Sequence, residues 1–142
     1  MSDDRFFLDT NILVYSFDPD APAKAVIAEG LITRGVNSGM GVISYQVAQE
    51  FVNVALRRFA TSLTAHELER YSLRVLFPLL KVHSSTELLL QALHLQSVSR
   101  LSWYDSLIVA AALQSSCKIL YSEDLQHRQH FGDLVVQNPF VQ

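Results

Sequence analysis

Ser102–Asp124, SWYDSLIVAAALQSSCKILYSED, is the stretch whose pattern sets the fold class. It opens with Ser102-Trp-Tyr-Asp105, a hydroxyl residue followed three places on by an acid, which is the pattern of a helix capping box. Leu107 to Leu113 is the longest unbroken apolar run in the chain. The helix that contains it, over Trp103 to Ser116, is apolar on nearly every face and belongs inside the protein. Ile119-Leu120-Tyr121 then forms a short strand. Asp124 lies just past its end, with Ser122 two residues before it. A buried helix feeding a short apolar strand is a building unit of parallel sheets.

The same alternation recurs on both sides. Phe6-Phe7-Leu8 is a short strand that ends at the turn and cap residues Asp9-Thr10-Asn11. After Asp18-Pro19-Asp20 a helix is predicted from about Pro22 to Arg34, with proline suited to its first turn. Gly35, Gly39 and Gly41 read as loop punctuation before a strand around Met40 to Ile43. A longer helix follows from Ser44 to about Arg58. Two further capping boxes, Thr64-Ala-His-Glu67 and Ser84-Ser-Thr-Glu87, open later helices. Pro78 ends the first of these, Leu79 to Val82 reads as a strand, and the second helix reaches about Arg100. Leu134-Val135-Val136 is a candidate last strand. The expectation is one α/β domain over residues 1–142, a layered sandwich of helices around a central parallel sheet. Ligands in such folds gather at the carboxyl ends of the strands.

Composition narrows the function classes. The 142 residues are nearly half hydrophobic and only 18% charged, which places the chain among folded domains rather than disordered ones. A net charge of -3 provides no broad basic surface, so a nucleic-acid partner would need a local patch or a bound cation. Cys117 stands alone, which excludes an internal disulfide and suits a reducing compartment. With no motif around it, it reads as buried and inert. The acidic start MSDDRFF does not read as a signal peptide, and no apolar run is long enough to span a bilayer. A cytoplasmic protein with no membrane partner is expected.

Four acids fall where a site is expected. Asp9 ends the first strand, Asp124 follows the Ile119–Tyr121 strand, and Asp105 stands in the first turn of the buried helix. Glu50 lies at the border of the apolar stripe Ile43, Val47, Phe51, Val54 and Ala55. A partly desolvated carboxylate there wants a donor, such as Arg57, or a metal. Each acid also has an ordinary structural reading. Asp9 and Asp124 could cap short helices, Asp105 could serve only its capping box, and Glu50 could be solvated. Together they make a hard-oxygen ligand set for Mg²⁺ or Mn²⁺. Clustered carboxylates repel unless a cation sits among them, and such a cation can activate water and neutralise a phosphate in hydrolysis.

The segments Phe7-Leu8-Asp9-Thr10-Asn11-Ile12-Leu13, Ser44 with Glu50-Phe51, Asp105 to Ala112, and Leu120-Tyr121-Ser122-Glu123-Asp124 carry a resemblance over nearly the whole chain. The chain resembles the PIN-domain family and, in size and layout, the VapC-type toxins of bacterial toxin–antitoxin pairs. The resemblance implies a PIN-like three-layer sandwich that cleaves RNA. Mg²⁺ or Mn²⁺ would sit on Asp9, Glu50 and Asp105, Asp124 would complete the site, and Asn11 and Ser122 would support it. It also implies a homodimer and a small antitoxin protein whose tail enters the active groove. Several relatives carry a basic residue or threonine near the last motif, where this chain has Ser122 and Glu123, so Glu123 adds charge that bears on metal and substrate.

Arg57, Arg58 and Arg100 are the candidate RNA-backbone contacts, ahead of Lys24 and Arg34; all could equally be surface charges. Trp103 and Tyr104 could stack on a base, although core packing suits residues that open a buried helix. His127 and His130 share a helical spacing and read as exposed helix residues. The alternatives are a catalytically silent PIN-like binding module, a metal-free nuclease with paired histidines, and a phosphotransfer domain. The last fits poorly, because position 11 is Asn where a dehalogenase-like phosphatase wants Asp, and Lys118 precedes its strand where a receiver wants lysine after one.

Overall fold

The computed structural model describes residues 4–141. The acidic start read against a signal peptide therefore begins, at Met1–Asp3, outside the described residues. The chain order is β1 (Phe6–Leu8), α1 (Thr10–Tyr15), α2 (Pro22–Ser38), β2 (Gly41–Ser44), α3 (Tyr45–Arg58) and α4 (Ala65–Tyr71). A π-helical turn over Ser72–Leu76 leads into α5 (Phe77–Leu79), β3 (Leu80–Val82), α6 (Thr86–Val98) and α7 (Trp103–Gln114). The chain closes with β4 (Ile119–Tyr121), β5 (His130–Phe131) and β6 (Leu134–Gln137).

The six strands lie in the order β3-β2-β1-β4-β6-β5. All neighbours run parallel except the β5–β6 pair, which is antiparallel. The sheet is therefore mixed at one edge rather than wholly parallel. β1 is central and buried on both faces, its residues between 0% and 5% exposed, which requires layers above and below it. The helices that precede β3 pack among themselves, α1 against α2 and α3, and α2 against α5. α6 and α7 pack on each other, with α7 also resting on β2 and β4. After β1 the chain crosses to β2 on one side and only later returns to β4 on the other. That reversal opens a crevice at the carboxyl ends of β1 and β4.

Several expectations need correcting. Asp9 is a cap, as read, but no helix is predicted after it: it caps the six-residue α1, which takes in Thr10 and Asn11 and whose Ile12 and Leu13 are fully buried. α2 continues four residues past Arg34, and Gly35 lies inside it. The glycine is there for packing, because a Cβ at Gly35 would sit 3.1 Å from the Gly41 Cα and one at Gly41 would sit 2.5 Å from the Gly35 Cα. Gly39, at φ 74°, is the true stop, in the left-handed conformation that glycine tolerates. Pro78 does not end the helical run. It sits in the first turn of α5, where its missing N–H is not needed.

The capping boxes divide three ways. Thr64 and Glu67 bond reciprocally, as read. At the second, the cap is Ser85, which accepts from the Leu88 N–H, so the expected Ser84–Glu87 box is one residue out of register. That helix also stops at Val98, short of Arg100. At the third, Ser102 accepts from the Asp105 N–H at 3.2 Å, with no return bond from the Asp105 carboxylate among the described residues. His127 and His130 are not helical: His130 is in β5 and His127 in the loop before it.

Candidate active site

Asp9 is the centre of the crevice. It leaves β1 with extended backbone and accepts the Thr10 N–H on Oδ1 at 2.7 Å, which starts α1. Its Oδ2 accepts the Ser122 hydroxyl at 2.7 Å, and its own N–H donates to the Tyr121 carbonyl, so β1 and β4 are laced together at their ends. Ser122 is fully buried, and its oxygen also accepts the N–H groups of Asp124 and Leu125. One hydroxyl thus fixes both Asp9 and the loop that carries Asp124.

Asp9 is only 6% exposed. Burial pushes its carboxyl up to about 6, against the Ser122 and Thr10 bonds that favour the charged form, and the charges of Asp124 and Asp105 push the same way as burial. Asp105 and Asp124 therefore lie close enough for their charge to act on Asp9, which ionises at an energetic cost. Asn11 in α1 donates to Asp124 Oδ2 at 3.1 Å, while its own Oδ1 is buried with no donor among the described residues. Glu50 in α3 is tied to this region through Thr10, next to Asp9, and does not line the groove of Asp105 and Asp124: the Thr10 hydroxyl donates to its Oε1 at 3.0 Å, and the Gln46 amide lies 3.4 Å away. Its donors are Thr10 and Gln46, not Arg57, and the side chain is exposed rather than partly desolvated. The polar neighbours come from α1 and from within α3, a partnership that the helical wheel alone does not reveal.

Asp105 and Asp124 line one open groove of about 270 Å³ with Arg100, Ser102, Gln126 and Gln129. Arg100 is the one arginine of the expected three in that groove. Arg58 pairs with Asp18 at 3.5 Å and lies against the Phe59 ring. Arg57 is exposed two helical turns, about 10 Å, beyond Glu50 along α3. Arg34 lies over the Phe6 ring and donates to the Tyr121 hydroxyl, so it is a structural cation. Lys24 pairs with Glu123, which also accepts the Tyr15 hydroxyl at 2.6 Å. Glu123 is therefore neutralised by α1 and α2 instead of adding free charge to the site. That clamp was not legible in sequence, since its three residues are far apart in the chain.

His127 accepts the Asn138 N–H on Nδ1, and with His130 it lines a separate groove of about 440 Å³ at the β5–β6 edge that holds none of the four acids. The paired-histidine arrangement is thus apart from the crevice.

A search for known families matches the PIN domain over residues 6–130, from the first residue of β1 to β5. The chain belongs to the PIN-domain family. Its fold, a mostly parallel six-stranded sheet with helices, is the PIN fold, and PIN domains are generally nucleases. No curated protein matches the chain. Among the described residues no helix is long and apolar enough to cross a membrane.

PIN nucleases typically use divalent metals, and the residues present suit a hard cation. Every candidate ligand is an oxygen, the crevice holds more carboxylates than cations, and the orphaned Asn11 Oδ1 is a further acceptor. No three His, Cys, Asp or Glu side chains among the described residues converge into a ready-made cage. A Mg²⁺ site does not require one, since that ion keeps several of its waters, and a carboxylate can hold it through such a water without touching it.

Proposed function

We propose that this PIN domain is a divalent-metal-dependent endoribonuclease, using Mg²⁺ or Mn²⁺, and the toxin of a type II toxin–antitoxin pair. The observation that carries the nuclease reading is the buried Asp9 carboxylate, held ionisable by Ser122 and the Thr10 N–H yet opposed by the charges of Asp105 and Asp124. A buried carboxylate with two acidic neighbours and no basic partner is stabilised by a cation.

In this reading Asp9, Glu50 and Asp105 hold the ion and Asp124 completes the site, with Asn11 and Ser122 in support. When bound, the ion supplies a lowered water pKa and charge neutralisation at the phosphate. The chain's own residues do the rest. Ser122 holds the Asp9 carboxylate in place, Asn11 does the same for Asp124, and Thr10 steadies Glu50. Arg100 binds the phosphodiester backbone from the groove it shares with Asp105 and Asp124. Hydrolysis leaves a 5′-phosphate and a 3′-hydroxyl. The toxin role, a small antitoxin partner, a homodimer and a cytoplasmic location rest on the likeness to VapC-type toxins.

The test is cleavage of a mixed structured RNA by the purified chain, freed of any bound partner, in Mn²⁺, Mg²⁺ and EDTA, beside Asp9→Asn and Asp105→Asn. Cleavage that needs metal and is lost in both variants is expected. Cleavage that survives EDTA would remove the metal from the mechanism, and inactivity with no metal binding by calorimetry would favour a silent binding module.

A further inference from the structure

A second pocket adjoins the acids and differs from them in chemistry. Tyr45, Gln46, Gln49, His83 and Tyr104 line a depression of about 210 Å³, floored in part by Leu107. It is built from the carboxyl end of β2, the end of β3 and the first turn of α7, so it shares the face of the sheet edge that carries the acids. No carboxylate lines it, whereas the neighbouring groove contains two. Gln46 joins the two regions, since its amide reaches both the Glu50 carboxylate, at 3.4 Å, and the Tyr104 carbonyl, at 3.5 Å. Tyr104 immediately precedes Asp105 and is 65% exposed at the start of a mostly buried helix. Tyr45 is 45% exposed and tilts against the His83 ring, with centroids 6.4 Å apart.

We infer that this pocket is a nucleobase subsite, which takes one unpaired base of a single strand whose phosphate lies at the Asp9–Asp105–Asp124 crevice. The inference rests on the nuclease reading and deepens it by naming where the strand is read. Exposed aromatic rings beside a phosphate site provide stacking surfaces for bases. The Gln46 and Gln49 amides each present donors and an acceptor, as the edge of a base does. A neutral lining suits a neutral base, and the acidic crevice next to it leaves the charged phosphate to the metal and Arg100. The strand then runs from the Arg100 groove, past the acids, to Tyr104 and Tyr45. Within α7, Trp103 is partly buried against the core and Tyr104 is free, so only the second of the two adjacent rings can stack.

The experiment compares a short, unstructured, fluorescently labelled oligoribonucleotide with its abasic counterpart, by anisotropy, with the full chain in Ca²⁺, a hard ion of oxygen ligands that stands in for Mg²⁺ while hydrolysis stays slow. The wild type should bind the base-bearing strand about tenfold more tightly. Tyr104→Ala and Tyr45→Ala should bring that ratio close to one and leave affinity for the abasic strand unchanged, while Tyr104→Phe should retain it. Equal affinity for the two strands in the wild type, as a pocket built for a protein side chain would give, would overturn the inference. So would a ratio that survives both alanine variants. Because the readout is binding and not turnover, a failure of the nuclease reading would appear in the cleavage assay and leave this ratio intact.

Discussion

Glu123 and Asp9 are both carboxylates at the ends of neighbouring strands, and the protein treats them oppositely. Glu123 is met by the Lys24 ammonium and the Tyr15 hydroxyl, and although burial works against it, those bonds hold its carboxyl below the usual range. Asp9 is more deeply buried and among the described residues meets no cation, only a hydroxyl and a backbone N–H, and it is pushed up to about 6. A charge paired within the chain has a structural job. A buried charge that the chain leaves uncompensated marks where something from outside is needed.

The largest effect that should separate them comes from Asp9→Asn. RNA cleavage is expected to fall by about 10³-fold or more, as the loss of a metal interaction worth several kcal/mol implies. The same change should raise the stability of the metal-free protein near pH 7.5 by about 1 to 3 kcal/mol, read by chemical unfolding, because it removes the cost of ionising a buried group. Asparagine still caps α1 well. A loss of both activity and stability would make Asp9 a structural cap and collapse the contrast.

Ser122→Ala comes next. It takes away the hydroxyl that holds Asp9 and the Asp124 loop, so metal affinity by calorimetry should weaken about 10- to 100-fold. The pH needed for activity should also rise, since a bond favouring ionised Asp9 has gone.

The pH dependence of folding is smaller and has a definite sign. Asp9 titrates higher folded than unfolded, so the folded chain binds the extra proton and its contribution is fully present below the unfolded value of 3.8. That contribution is lost as pH rises through about 6. Metal-free protein should therefore weaken over this interval by urea titration, and Asp9→Asn should flatten the slope.

The smallest effect belongs to the paired acid. Lys24→Met should lower Tm only slightly, because the ion pair is partly exposed. It should leave the cleavage activity within a few-fold of wild type. A loss as deep as that of Asp9→Asn would put Glu123 inside the catalytic site and erase the distinction.

Sequence pattern reached the parts of the molecule that depend on local chemistry. Phe6–Leu8, Ile119–Tyr121 and the all-round apolar α7 were readable because burial on every side leaves an uninterrupted apolar run. Thr64–Glu67 was readable because both partners of the bond are in one turn. What failed depends on distant partners or very short elements. Gly35 looks like a loop residue until Gly41 is seen against it, α1 is too short for periodicity to register, and the two-residue β5 exists only through β6. Asp9, Asp105 and Asp124 could be named from their positions at strand ends and a helix start, and Glu50 from the edge of the apolar stripe on its helix. Thr10 as the donor to Glu50, and Lys24 as the counter-charge to Glu123, could not, since nothing near either pair in the chain points to the other.

The central claim is that Asp9 carries a buried charge awaiting a cation. Its most direct test is thermal unfolding of wild type and Asp9→Asn at about pH 5 and pH 8, with and without Mg²⁺. The expected result is that Mg²⁺ raises the wild-type Tm at the higher pH, does so far less at the lower, where Asp9 holds a proton, and leaves Asp9→Asn nearly unmoved. A wild type that gains nothing from Mg²⁺ at either pH, and is no less stable than Asp9→Asn without it, would contradict the account.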